Sequence, residues 1–492
     1  MARYAYERLT ALDNSFLLLE GPNTFMHVSS TALYESGPLR TEQGGIDMAQ
    51  IKRGIASILH RIPRYRQKLA WVPIEQSPVW IDDSDFNLDY HVRHTSLPKP
   101  GDNEQLKRLA SRIMAQRLDR TRPMWEMWFI EGLEDDRFAV VSKTHHCMID
   151  GASGVDLMNV LMQDSPEFEI HDAPPFVPRP APSGAELLQN EVLRRLSLPL
   201  DLLRGARDLW QEVGEQQRDV MNRLRAVATT LGTTLRPVSS TPFNRQIGPH
   251  RRFDWHTMEL SEVKRVRKSL GGSFNDVVLT IVTGAVRRFL EYRRVDPSNL
   301  EFRVMAPVSV RTEGEKGQLG NRVSAWILAL PLDTDDPKEQ LARISETTQE
   351  LKTSKSAVGA EALTQVAEWT PATLLSLGAR NASRLLPFNL VVTNVPGPQV
   401  PLYMMGARMN EIYPQVPLVD RTGLGIALFS YDGKLCWGFN ADYEVLPDLT
   451  RFIAFLRESQ EELLKLAEGP IELRPKTRKK RPSKEAGSAD AT

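Results

Sequence analysis

Cysteine is scarce: in 492 residues only Cys147 and Cys436 occur. Two thiols cannot build the disulfide framework of a small secreted domain, which fits a reducing compartment, although a secreted protein without bridges has the same composition. Net charge is also missing, because 62 basic residues balance 62 acidic ones. No overall field therefore steers the chain toward nucleic acid or an acidic substrate. Long apolar runs are absent as well, and none approaches the roughly 18 residues that a membrane-spanning helix needs. The opening "MARYAYERLTALDNSF" has no apolar stretch behind a basic start. The expectation is a cytoplasmic protein, neither exported by a signal peptide nor membrane-spanning. Hydrophobic residues at 41% and charged residues at 25% suit an ordinary soluble globular chain. Its length exceeds one core of usual size, which favours two lobes.

Strand and helix patterns alternate along the chain. "LTALDNSFLLLEGPNTFMHVSSTALYE" reads as a short helix followed by a strand from about Met26 to Tyr34. In "MAQIKRGIASILHRIP", Ile51, Ile55, Ile58 and Leu59 recur at helical spacing until Pro63 ends the pattern. A second amphipathic helix, "DNEQLKRLASRIMAQRLD", precedes a hairpin that turns at Glu134-Asp135-Asp136 and ends in two histidines. Five prolines in "HDAPPFVPRPAPSG", residues 171 to 184, exclude helix and central strand and mark an extended linker. Beyond it, residues 185 to 232 form a helical stretch broken at Pro199. It reads as connecting helices, or alternatively as an interfacial membrane helix. The second lobe carries the periodic helix "SFNDVVLTIVTGAVRRFLEYRR" and strands at "FRVMAPVSV", "RVSAWILALPL", "FNLVVTNVPG" and "TGLGIALFSYDGKLCWGFNAD". The last residues hold seven basic side chains between Arg474 and Lys484, a solvated tail that could also attract anionic lipid.

The chemistry concentrates in "VSKTHHCMIDGASG", where a strand runs out at His145 and His146 and helical spacing resumes after Asp150-Gly151. A strand-to-helix turn fixes a side chain between two rigid elements while exposing it. A neutral imidazole there can accept a hydroxyl proton near pH 7. Adjacent residues at a strand end point in opposite directions, so one histidine faces a given cavity and the other backs it. Asp150 is placed to brace the turn or to pair with an arginine, and Gly151 suits a turn that a β-carbon would oppose. Three other readings compete. A metal site from His145, His146, Cys147 and Asp150 is too crowded to converge on one ion, and no second Cys/His cluster exists. A nucleophile triad lacks a G-x-S-x-G elbow. Lastly, the pair could simply satisfy hydrogen bonds in the core.

"HHCMIDG" fits the HHxxxDG signature of the CoA-dependent acyltransferase superfamily. With "LTALDNSFLLLEGPNTFMHVSS", "RPMWEMWFIEGL", "GGSFNDVVLTIVTGAVRRFL", "APVSVR", "LGNRVSAWILALP" and "VVTNVPGP", the chain resembles the bacterial wax ester synthase/acyl-CoA:diacylglycerol acyltransferase family from about residue 5 to 468. That resemblance implies an α/β (α+β) fold of two chloramphenicol acetyltransferase-like lobes, each a mixed sheet flanked by helices, with a tunnel between them. The expected division is 1–170 for the first lobe, 171–240 for linker and connecting helices, 241–470 for the second lobe and 471–492 for the tail. It implies His146 as general base, His145 as its supporting neighbour and Asp150 as a structural residue. Asn275 and Asp276 match the family's Asn-Asp pair. Independently of the family, Ser273 and Asp276 form a helix-capping pattern that leaves Asn275 and free N–H groups at the positive end of a helix, where an oxyanion could be held. Pro123-Met124-Trp125 takes the place of the family's Pro-Leu-Trp, Met for Leu conserving volume. Arg311, ahead of Arg303, is the expected partner of Asp150.

The implied reaction moves an acyl group from acyl-CoA, as co-substrate, to diacylglycerol or a fatty alcohol. No metal, resident cofactor or nucleic acid takes part, and the protein is expected in the cytoplasm or peripherally on the inner membrane face or lipid inclusions. Two rivals are a condensation-type enzyme fed by carrier-protein thioesters and a catalytically silent lipid-binding or droplet-coat protein.

Overall fold

The computed structural model describes residues 6–148, 160–194, 238–309, 323–353 and 387–468. Its first large sheet has seven strands, in the spatial order Val92–Ser96, Trp125–Glu131, Arg137–His145, His27–Glu35, Ala407–Gln415, Tyr403–Met404 and Met162–Gln163. Arg137–His145 pairs antiparallel on both sides, to Trp125–Glu131 and to His27–Glu35, where His27 lies opposite His145. A strand enclosed in this way buries both faces, which accounts for the unbroken apolar run "FAVV" in place of alternation. Helix Asn103–Ala115 covers one face through Leu106, Ala110, Ile113 and Met114, and a capping box between Asp102 and Gln105 starts it. At the other end of that helix, fully buried Lys143 donates to the carbonyls of Ile113 and Gln116 at 2.9 and 3.0 Å. Burial pulls its ammonium down to about 8, against the pull of Glu126 3.6 Å away.

The second sheet has six strands, ordered Val323–Ala329, Arg303–Ser309, Leu390–Pro396, Leu424–Tyr431, Lys434–Asp442 and Arg251–Glu259. Arg303–Ser309, Leu390–Pro396 and Leu424–Tyr431 run parallel, and the flanking pairs are antiparallel. Helix Phe274–Tyr292 lays Val277, Val278, Ile281, Val282, Ala285 and Phe289 into this lobe's core, together with Leu449–Glu468. The chain is thus a mixed α/β protein. A small third sheet joins Tyr6–Arg8, Pro78–Asp82 and Gln67–Trp71, and Arg179 of the proline-rich segment clasps Asp82 there. No helix or strand forms from 167 to 183, as the prolines dictate. Residues 184–194 are helical; the rest of the expected connecting helices and the basic tail lie outside the described residues. Among the described residues no single helix is long and apolar enough to cross a membrane.

Among the strands that sequence patterning left unread are two of nine residues each. Arg251–Glu259 alternates charged residues with Phe253 and Trp255, and Ala407–Gln415 carries Arg408, Glu411 and Pro414 with a bulge between Met409 and Glu411. The latter strand follows Leu390–Pro396 of the second sheet yet pairs with His27–Glu35 of the first. One core cluster consequently draws on both halves, joining Leu33, Ile113 and Val141 to Phe253, Trp255, Tyr413 and Cys436. Tyr413 stacks on Trp255 at 4.7 Å and its hydroxyl meets Thr257 Oγ1 at 2.8 Å.

This crossing strand presses its backbone onto the second sheet. A β-carbon on Gly438 would lie 1.8 Å from the Pro414 carbonyl oxygen, so only glycine permits the approach. Gly438→Ala is expected to destabilise the fold by about 1–3 kcal/mol or more, as overpacking does. Gly37→Ala, where nothing lies within 4 Å, serves as a near-neutral control. Denaturant titration of both variants checks this, and equal midpoints would contradict it.

Candidate active site

Strand Arg137–His145 ends at His145, and a single 3-10 turn, His146–Met148, follows. Backbone bonds fix the exit: the His145 N–H donates to Met124 O at 2.9 Å and the His146 N–H to Met26 O at 2.7 Å. Met124 belongs to the Pro123-Met124-Trp125 segment. The Trp125 indole is buried, donates to Tyr65 O at 2.8 Å and stacks on His91 at 4.5 Å. That segment therefore seats the histidine pair from below.

The two rings meet different partners. His145 points inward and is fully buried. Its Nδ1 accepts the Cys147 N–H at 3.2 Å, which leaves the hydrogen on Nε2, 3.2 Å from Glu20 Oε1. Glu20 is buried at the end of helix Ala11–Leu19 and also accepts from the Met26 N–H at 2.9 Å and from Arg120. Desolvation would raise its pKa, but His145, the Met26 amide and Arg120 outweigh it and hold the carboxyl at about 2. His27 is buried edge-on to His145, and burial, followed by the field of Lys143, pushes its pKa well below the ordinary imidazole value.

His146 stacks on Phe16, ring centroids 3.8 Å apart. Its Nδ1 is shut off from solvent without a hydrogen-bond partner among the described residues. Burial lowers its pKa to about 4, with contact to its own main chain opposing and His145 adding to the fall. The ring is thus a neutral acceptor at physiological pH. Cys147 is buried and its thiol pushed well above the usual range, which disfavours a thiolate nucleophile.

Asn275 and Asp276 stand at the start of helix Phe274–Tyr292 as the capping pattern predicts. Ser273 Oγ accepts the Asp276 N–H at 3.2 Å, and Asp276 Oδ2 accepts the Ser273 N–H at 2.7 Å. Thr348 donates to Asp276 Oδ1 at 2.9 Å. Asn275 Oδ1 accepts from Asn394 Nδ2 at 2.8 Å. Both asparagines line a cavity of about 770 Å³ built by second-lobe elements, with Trp326, Leu279 and Val392 among its walls. His146 is not part of that lining, and no contact links the two groups among the described residues. Asp150, Gly151 and Arg311 lie outside the described residues; Arg303 pairs with Glu301. Among the described residues no cluster of three metal-ligating side chains occurs.

Sequence reasoning missed Glu20 and Asn394. Each sits inside a stretch that carries the family resemblance, "LLLEGP" and "TNVPGP". An isolated acid or amide in such a stretch gives no sign of burial; only the fold brings it beside His145 or Asn275.

Comparison with known proteins now adds its own finding. The family model described as wax ester synthase/diacylglycerol acyltransferase catalytic domain matches residues 9–278, and the WS/DGAT C-terminal domain matches 319–464. A Mycobacterium tuberculosis relative bearing the name diacylglycerol O-acyltransferase is 31% identical over 476 residues, covering 94% of this chain and 91% of its own. Another from the same species is 30% identical over 451 residues, covering 89% and 92%. The wax ester synthase/diacylglycerol acyltransferase of Marinobacter aquaeolei VT8 superposes with a TM-score of 0.63 at 25% identity, over 94% of this chain and 99% of that one. The first condensation domain of the calcium-dependent antibiotic synthetase shares the fold, with a TM-score of 0.55 at 16% identity over 95% and 97%. The chain therefore belongs to the wax ester synthase/diacylglycerol acyltransferase family of acyltransferases.

Proposed function

We propose that this acyltransferase moves a fatty acyl group from acyl-CoA to the hydroxyl of diacylglycerol or a long-chain alcohol, with His146 as general base. The observation that carries the proposal is the desolvated, neutral imidazole of His146 at the end of the strand, stacked on Phe16. Nε2 takes the hydroxyl proton as the oxygen bonds to the thioester carbonyl carbon. The C–S bond then breaks and the proton passes to the departing CoA sulfur, so the step balances with no further reactant. An imidazolium formed on the way lies against the Phe16 face, which attracts positive charge. Glu20 and His145 position the strand end, and Asn275 with the helix N-terminal amides supplies donors for the oxyanion. Asp150 and Gly151 shape the turn, with Arg311 as the cation for Asp150. The lobe division at residues 171–240 and a peripheral seat on a lipid surface belong to the same proposal.

Purified protein given palmitoyl-CoA with hexadecanol or dipalmitoylglycerol is expected to release CoA thiol only when the alcohol is present. Thiol-free lipid binding would favour a silent coat protein. His146→Ala should lower turnover by about 10²–10⁴-fold while the far-UV circular dichroism stays that of the wild type; undiminished activity refutes the assignment. Because His146 is neutral above about 4, the acid limb of kcat/KM should fall near that value and not near 6.5. A pH series from 3.5 to 8 reads it directly. Glu20→Gln strips a buried anion from His145 and Arg120 and should cost about 1.5–3 kcal/mol of stability, with kcat falling more than KM rises. A variant matching wild type in both melting temperature and kcat would show that the buried carboxylate positions nothing.

A further inference from the structure

Residues 20–26 join helix Ala11–Leu19 to strand His27–Glu35, and the backbone of His146 hangs from their far end. The turn closes through the Gly21 N–H to Thr24 O at 3.0 Å, and Met26 O receives the His146 N–H. From the first lobe, Glu20 accepts the Met26 N–H and Arg117 donates to Gly21 O at 3.1 Å. Two further bonds come from the second lobe. Asn23 Nδ2 donates to Ile247 O at 3.0 Å, and Arg251, the first residue of strand Arg251–Glu259, donates through Nη2 to Asn23 O.

The guanidinium of Arg251 is buried. Its Nη1 donates to Gly248 O at 2.7 Å and to His250 O at 3.0 Å, and lies 3.5 Å from the carboxylate of Asp442, the residue opposite it on the neighbouring strand. Asp442 is fixed in turn by the N–H groups of Gly248 at 2.7 Å and of Glu444 and Val445 at 3.0 Å. Arg251 thus hangs from an anion that its own lobe holds rigid and reaches across to the other lobe with one nitrogen. A buried ion pair is a weak source of net stability, because desolvation offsets its attraction. What the planar fork supplies is direction, since its nitrogens serve both sides at once where a single ammonium cannot. Arg251 is not part of the lining of the Asn275 cavity, so its link to the chemistry runs through the loop. Resting on the acyl transfer proposed above, we infer that Arg251 is a positioning residue: it holds residues 21–26, and through Met26 O the backbone of His146, in register with the lobe that carries Asn275. Seating of the base thereby depends on docking of the lobes.

The test uses the full chain, first without ligand for backbone amide hydrogen exchange, then with palmitoyl-CoA and hexadecanol for kinetics. Arg251→Lys keeps a cation beside Asp442 but loses the fork; Asn23→Ala removes the other crossing bond and leaves Asp442 paired. In both, the Met26 and His146 amides should exchange about 5- to 10-fold faster, while the amides of Ala407–Gln415, in the shared core, keep wild-type rates. In both, kcat should fall by about 10- to 100-fold with KM for palmitoyl-CoA unchanged. Arg293→Lys, which loosens the pair with Asp448 inside the second lobe, should move neither reading. Wild-type exchange at Met26 and His146 in Arg251→Lys overturns the assignment. So does acceleration that spreads equally to Ala407–Gln415, which marks loosened lobes alone, and so does faster local exchange with an unaltered kcat. Should Arg251→Lys fail to fold, as its melting temperature shows, Asn23→Ala decides by the same criteria. A wild type that releases no CoA thiol removes the activity proposed above, and exchange at the two amides then decides the role of Arg251 by itself.

Discussion

A single buried carboxylate, Glu20, organises the histidine end of the first lobe. It grips the Met26 amide on one side and the His145 ring on the other, while Arg120 supplies the countercharge that lets an anion persist in a dry place. Met26 in turn offers its carbonyl to the His146 N–H. The helix before Glu20, the strand after Met26 and the strand ending at His145 therefore meet at one charge. Loss of that charge would loosen the loop that sets the direction of His146, although Glu20 is not placed against His146 itself. The hydrogen bond from the Cys147 amide to His145 Nδ1 completes the arrangement, because it selects the tautomer that can donate to Glu20.

The second constraint acts at the scale of the lobes. Residues 403–415 leave the second half of the chain to add strands to the first sheet, and their backbone rests on Gly438 of the second. Asn440 reinforces the join by donating to Val416 O at 2.8 Å. An ion pair between Lys107 and Asp254 at 2.6 Å does the same across the helix Asn103–Ala115. Because the shared apolar cluster excludes water and includes residues from both sheets, separating the lobes would expose Trp255, Tyr413 and Val141 together. The proposed active site, which draws on both lobes, would need such a tie, since a displacement of about 1 Å at reacting groups can cost about 100-fold in rate.

Much of this was legible in the sequence wherever a local rule governs. The hairpin into His145 and the capping of helix Phe274–Tyr292 by Ser273 and Asp276 follow from periodicity and chain geometry alone. Ala407–Gln415 was not legible, because its Pro414 and charged residues argue against a strand, and its neighbour in the sheet lies almost 400 residues earlier, in a partnership that no local window contains. Glu20 was hidden for a different reason. Acids are rarely buried, so a lone glutamate after "FLLL" reads as the polar end of a helix until Arg120 and His145 are brought against it. Asn394 likewise acquires meaning only from a hydrogen bond that spans more than a hundred residues.

The electrostatics of the two histidines show why a pair is more useful than one. His145 is held by a carboxylate; among the described residues no carboxylate pairs with His146, which stays neutral because charging it in that environment is unfavourable. A base of lowered pKa is weak in isolation, yet it remains unprotonated over the whole physiological range. The deficit is offset only when an anion forms beside it, so its basicity would rise as the attacking oxygen and the thioester carbonyl develop negative charge. Stabilisation that appears with the transition state and is absent from the resting enzyme lowers the barrier without deepening the ground state. A carboxylate beside His146 would raise its resting basicity and move its titration toward neutral pH.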